Sequence, residues 1–173
     1  TGHLYTKLAG TAFTFDVAAL KADGTVETSY VAGTSKDVTV DFGYATDSAC
    51  AGWTPVSPVV SQTLTFATAD AGRKAAANMT ISNAYPNLRC RVTDANQTPS
   101  VVACSADNFA VRPTGLTVTS SDATADATGA SVTASPVIKA GSNFNLTATA
   151  VAGYNGTPKI DTAKILAKAG VNG

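Results

Sequence analysis

Ala103-Cys104-Ser105-Ala106-Asp107-Asn108-Phe109-Ala110-Val111-Arg112-Pro113 is the stretch on which the reading of the fold turns. It opens on a cysteine, closes on a proline, and alternates apolar and polar residues around Phe109 and Val111. Pro113 has no N–H to give a sheet and biases Arg112 toward extended backbone. The stretch therefore reads as the last strand of one β-domain, a stiff connector over 111–113, and the way into a second domain.

Toward the N-terminus, the chain is a series of short alternating segments. Residues 2–8 read as a strand. Residues 9–20 read as the next, with Phe13, Phe15 and Val17 on one face. Asp23-Gly24 signals a tight turn. Val38-Thr39-Val40-Asp41-Phe42 alternates again, and residues 43–58, rich in Gly and Pro, read as a loop. Residues 61–67 carry Leu64 and Phe66 inward, and Asp70-Ala71-Gly72-Arg73 makes a turn. Residues 75–82 alternate around Ala77, Met79 and Ile81. Residues 88–93 and 101–104 flank a polar loop and read as a hairpin in which Val92 faces Val102. Seven or eight strands in about 110 residues is the density of an immunoglobulin-like sandwich.

Toward the C-terminus, residues 114–119 open a second unit, and the polar stretch 120–130 reads as a loop. Gly141-Ser142-Asn143-Phe144-Asn145-Leu146 then repeats the pattern of Gly10-Thr11-Ala12-Phe13-Thr14-Phe15, shifted by 131 positions. After it, Asn155-Gly156-Thr157 answers Asp23-Gly24-Thr25. An internal repeat of this kind points to tandem domains. The fold class is thus all-β: a complete immunoglobulin-like sandwich over 1–110 and a partial one over 114–173. Phe144 and Leu146 belong to the core of the second unit, and residues 163–167 read as its third strand. A unit missing its later strands leaves an edge for strand addition.

Composition narrows the function. The chain has 173 residues, of which 14% are charged, with a formal net charge of +0. That argues against a nucleic-acid binder, which would show a basic stripe. Hydrophobic residues make up 45%, enough for packed cores, and no run of about 18 apolar residues marks a membrane span. The opening Thr-Gly-His-Leu-Tyr, without Met, reads as the start of a piece cut from a longer protein.

Candidate chemistry is sparse. His3 is the only histidine, and no Gly-x-Ser-x-Gly elbow exists, so an enzyme is not expected. Nor is a cofactor. Three cysteines, Cys50, Cys90 and Cys104, lack the spacing and companions of a zinc site, and one disulfide fits them better. Asp107 and Asn108, and Asp122 with Asp126, offer oxygens to Ca²⁺ but lack an EF-hand spacing; turn capping is the plainer role. Ala71-Gly72-Arg73-Lys74 reads as a solvated basic turn rather than an anion site. Asn78, Asn96, Asn145 and Asn155 each start a glycosylation sequon. Trp53 has two readings: an aromatic contact for a sugar or a protein partner, or a cover over the open end of the core.

The residues leave two disulfides open. The hairpin register with Val92 facing Val102 places Cys90 opposite Cys104. Pairing Cys50 with Cys104 instead ties down the Trp53 loop and closes a larger ring, worth about 4 kcal/mol in the chain-entropy account.

Three stretches carry a resemblance. Tyr5-Thr6-Lys7-Leu8-Ala9-Gly10-Thr11-Ala12-Phe13, Ala69-Asp70-Ala71-Gly72-Arg73-Lys74 and the opening stretch resemble the C-terminal half of large secreted proteins of the MshQ type. Those proteins are associated with mannose-sensitive haemagglutinin (MSHA) and type IV pilus systems of Gram-negative bacteria. The resemblance covers nearly the whole chain and is most specific from Cys104 to Pro113. It implies a cell-surface or pilus-linked protein, without enzymatic activity, whose partners are other domains of one long chain and other surface components. It also implies a Cys50–Cys104 disulfide, with Cys90 a buried free thiol. It supplies no ligand-binding residues. The expected function is a structural and adhesive segment, the alternative a glycan- or protein-binding module acting through the Trp53 loop.

Overall fold

The structure is a computed structural model and describes residues 3–119 and 147–150. These residues fall into two units, one carrying 3–114 and the other 115–119 with 147–150. Both are all-β; the only helical element described is a single 3-10 turn at Thr68–Asp70. No described helix is long and apolar enough to cross a membrane. The expected loop at 120–130, the core residues Phe144 and Leu146, and the strand at 163–167 lie outside the described residues.

The first unit has nine strands: β1 (Lys7–Leu8), β2 (Phe13–Ala18), β3 (Lys36–Tyr44), β4 (Thr54–Pro55), β5 (Ser61–Phe66), β6 (Arg73–Met79), β7 (Tyr85–Asp94), β8 (Val101–Cys104) and β9 (Phe109–Arg112). Seven of them form one sheet in the order β1-β9-β7-β3-β4, with β5 also on β3 and β8 also on β7. The other two, β2 and β6, form a second, antiparallel sheet. Every pairing in the large sheet is antiparallel except one: β1 runs parallel to β9, with Lys7 beside Val111 and Leu8 beside Arg112.

The two sheets close on a core that follows from alternation. In β3, Val38, Val40 and Phe42 are buried while Asp37 and Thr39 are exposed, the period-two pattern of a strand with one face inward. Phe42 is fully buried, and its ring meets Phe13, Phe15 and Phe109 edge-on at 5.7, 5.8 and 5.8 Å. Edge-to-face contact suits the quadrupole of each ring. Phe42 thereby joins the two sheets, and burying it contributes about 2–3 kcal/mol by area.

Several expectations are corrected. The first strand is only Lys7–Leu8, not residues 2–8. The region 43–58 holds β4, which pairs with Gly43 and Tyr44. In β6 the buried residues are Ala76 and Met79, and Ala77 is exposed. The cause is a β-bulge: Phe13 faces Met79 and Phe15 faces Ala76, so β6 spends one extra residue. Asn78 absorbs it in the left-handed region at φ 57°, which Asn tolerates better than most residues.

The second unit shows one antiparallel pair, β10 (Leu116–Thr119) with β11 (Thr147–Ala150), in the register Leu116 to Ala150 and Thr119 to Thr147.

Candidate functional site

On the outer face of the large sheet, away from the core, one row of residues crosses three strands. Asp41 of β3 faces Arg91 of β7, and Arg91 faces Cys104 of β8. Residues directly opposite share a face, so this row points away from Phe42. Arg91 Nε and Nη2 donate to the two carboxylate oxygens of Asp41 at 2.9 and 2.5 Å. The fork geometry of the guanidinium matches the carboxylate, which gives both strength and orientation. Neither partner is freely solvated: Asp41 is 7% exposed.

The loop between β3 and β5 covers this row. Cys50 is bonded to Cys104, 54 positions away in sequence, with their Cα atoms 5.3 Å apart. The backbone N–H of Cys104 donates to Ser48 O at 2.9 Å, so the loop also covers the outer rim of β8 at its Cys104 end. Asp47 shapes the turn by accepting from the N–H groups of Ala49 and Ala51. Three residues after Cys50, the indole of Trp53 lies 4.4 Å from the Arg91 guanidinium. A cation over an aromatic face contributes about 0.5–2 kcal/mol depending on solvent access.

The close approach requires Gly43. A Cβ there would stand 2.3 Å from Thr54 O and 2.8 Å from Trp53 Cζ2. Trp53 therefore roofs the outer face of the sheet over Gly43 and Arg91, and does not close the end of the core. Its Nε1 is buried without a hydrogen-bond partner among the described residues, as is Tyr44 Oη.

The register between β7 and β8 separates the cysteines. Thr93 faces Val102 and Arg91 faces Cys104, one residue from the expected alignment. Cys90 instead faces Phe42 and lies in the core, while Cys104 is on the other side of the sheet. A one-residue slip inverts every side chain of a strand. Cys90 is a free thiol, and burial, with a smaller push from the Asp41 charge, raises its pKa to about 12.

Arg89 and Ser105 organise the stretch between β8 and β9. Arg89, 8% exposed, donates through Nη1 to Ser105 O. Ser105 N–H donates to Cys90 O at 2.8 Å, and Ser105 Oγ donates to Asp107 O at 2.9 Å. Asp107 Oδ2 lies 2.7 Å from His3 Nδ1, which holds the Asp107 carboxyl below its usual range. His3 has no partner near it in sequence; the fold supplies one from 104 positions away.

The other candidates stay apart. Among the described residues no group of three or more His, Cys, Asp or Glu is placed to hold a metal. Asp122, Asp126, Asn145 and Asn155 lie outside the described residues. Asn78 sits exposed on the bulge, and Asn96 Nδ2 donates to Asp37 O and Asp94 Oδ1, both at 2.7 Å. Asp41, Arg91, Gly43 and Arg89 were missed. The available signal was opposite charges in the middle of two alternating strands, where a solvent face explains either charge by itself.

The chain matches no known protein family, no curated protein and no solved structure.

Proposed function

We propose that the chain is a non-enzymatic structural segment of a larger bacterial surface or pilus-associated protein, built from immunoglobulin-like β-sandwiches in tandem. The observation that carries this reading is the strand order of the first unit. In immunoglobulin sandwiches strands B and E share one sheet, and G, F and C share the other, extended by C′ in variable-type domains. Here β2 pairs with β6, and β9-β7-β3-β5 lie side by side. The assignment β2 to B, β3 to C, β5 to C′, β6 to E, β7 to F and β9 to G preserves both chain order and neighbours.

The repeat adds support. A shift of 131 carries Asp16 to Thr147, so β11 stands where the second copy of β2 belongs. One departure is plain: antibody domains bridge their two sheets through the core, whereas Cys50–Cys104 ties a loop to an outer face. The resemblance to MshQ-type proteins and the disulfide favour an oxidising, extracellular setting on a Gram-negative cell. The partners of such a segment are neighbouring domains of the same chain and pilus or surface components, with strand addition at the second unit.

Antibodies raised against the first unit should label intact cells that make the protein. Labelling only after permeabilisation would sink the surface reading. The alternative, a binding module centred on Trp53, has its own test. Glycan-array binding that Trp53→Ala abolishes, with the fold intact, would favour the module over the spacer.

A further inference from the structure

We propose that the first unit is built to resist tension applied along the chain, with β1 and β9 as its mechanical clamp. The proposal rests on the spacer reading for its biological meaning; its physical basis is independent of that reading. β1, from Lys7, is the first strand described in the unit, and β9 ends at Arg112, just before the division at Gly115. The two strands are adjacent and parallel.

That pairing decides how force arrives. Tension on the N-terminal side draws β1 toward its own N-terminal end. Tension on the C-terminal side draws β9 toward its C-terminal end. For parallel neighbours these directions are opposite along one axis, so the pair is sheared and its bonds share the load. Antiparallel terminal strands would instead be pulled from one end and lose their bonds in succession.

Neighbouring contacts back the clamp. Ala9 N–H donates to Arg112 O at 2.9 Å, and Gly10 N–H donates to Ile81 O at 2.8 Å. Ala9 itself is buried. β9 is held from its other side by β7, through Tyr85 beside Val111 and Leu88 beside Phe109.

Behind the clamp stands a second stop. Once β1 and β9 part, the N-terminal side can unravel only as far as Cys50 and the C-terminal side only back to Cys104. The disulfide keeps β4, β5, β6, β7 and β8 within a closed ring.

Single-molecule pulling on the full chain tests both stages. One pair of handles goes on the N-terminus and Thr114. The other goes on Thr11 and Thr114, which loads the same strand pair from one end. The first geometry should need about two- to threefold more force, because the bonds between the two strands then share the load rather than breaking in turn. Equal forces, or a stronger Thr11 geometry, would overturn the clamp. Reductant should lengthen the end-to-end release by roughly 190 Å, the extended length of a chain spanning the sequence separation of 54. An unchanged release would overturn the second stop. A failed surface-labelling experiment would remove the spacer reading and leave these forces as they are; equal forces would do the reverse.

Discussion

Gly43 is the residue on which the outer face depends. A methyl group there meets backbone at Thr54 O, which cannot swing aside as a flexible side chain would. Gly43→Ala should lift Trp53 from Arg91 and cost about 1–3 kcal/mol, the range for overpacking. The urea midpoint should fall, and the fluorescence of the single tryptophan should change with it. Cys90 makes a second prediction at this scale. Its thiol keeps its proton in the folded state up to about pH 12, while in the unfolded chain it ionises near its ordinary value. Between those two values the folded state binds more protons. Stability should therefore be whole below about pH 8.5 and fall above it, by about 1.4 kcal/mol per pH unit relative to Cys90→Ala. Parallel urea titrations of the two proteins from pH 8 to pH 10 measure the difference; matching slopes would count against it. The core around Phe42 was legible because Val38, Val40 and Phe42 sit at period two. Asn78 was not, since a bulge adds one residue without any change in composition. Ala75, Ala76 and Ala77 are equivalent as residue types, so pattern could not say which faces inward.

At the scale of elements, the hairpin β7–β8 shows what alternation leaves undecided. Val101 and Val102 are adjacent, both apolar and both exposed, so neither register is favoured by burial. The register alone sets whether Cys104 shares a face with Cys90 or with Arg91. The ion pair raises a related question of cost. Asp41→Asn would leave Arg91 half-covered without its carboxylate, and breaking a partly buried pair from one side should cost about 2–3 kcal/mol. Arg91→Met with Asp41→Leu should recover part of that loss, because neither charge is then stranded. Chemical denaturation of the two variants, with the disulfide intact, distinguishes stranded charge from lost packing. Cys50→Ser removes the ring closure and should lower stability by up to about 4 kcal/mol in the chain-entropy account. The strand signals in the far-UV spectrum should remain, because Phe42 and its neighbours do not depend on the loop. Loss of those signals would show that the cross-link is needed for the sheet itself.

At the scale of the molecule, the first unit has its own core. A chain ending at Thr114 should unfold in one cooperative urea transition, with a slope of about 1–3 kcal/mol per molar. A transition split between near- and far-UV signals would argue that the unit depends on residues beyond Thr114. The all-β class was open to sequence reading because alternation and turn signals are local. The roofed outer face was not, because Gly43, Trp53, Arg91 and Cys104 meet only after three strands have paired. The bond from Cys104 N–H to Ser48 O has a consequence for crowding. A strand at a rim, uncharged and carrying Val101 and Val102, invites a neighbouring molecule to add its own strand and start a polymer. With the loop fastened there by Cys50, its backbone occupies the Cys104 end of that rim and hinders such addition. Reduction would release the loop and open the rim, so concentrated protein should scatter more light and bind thioflavin in reductant than without it.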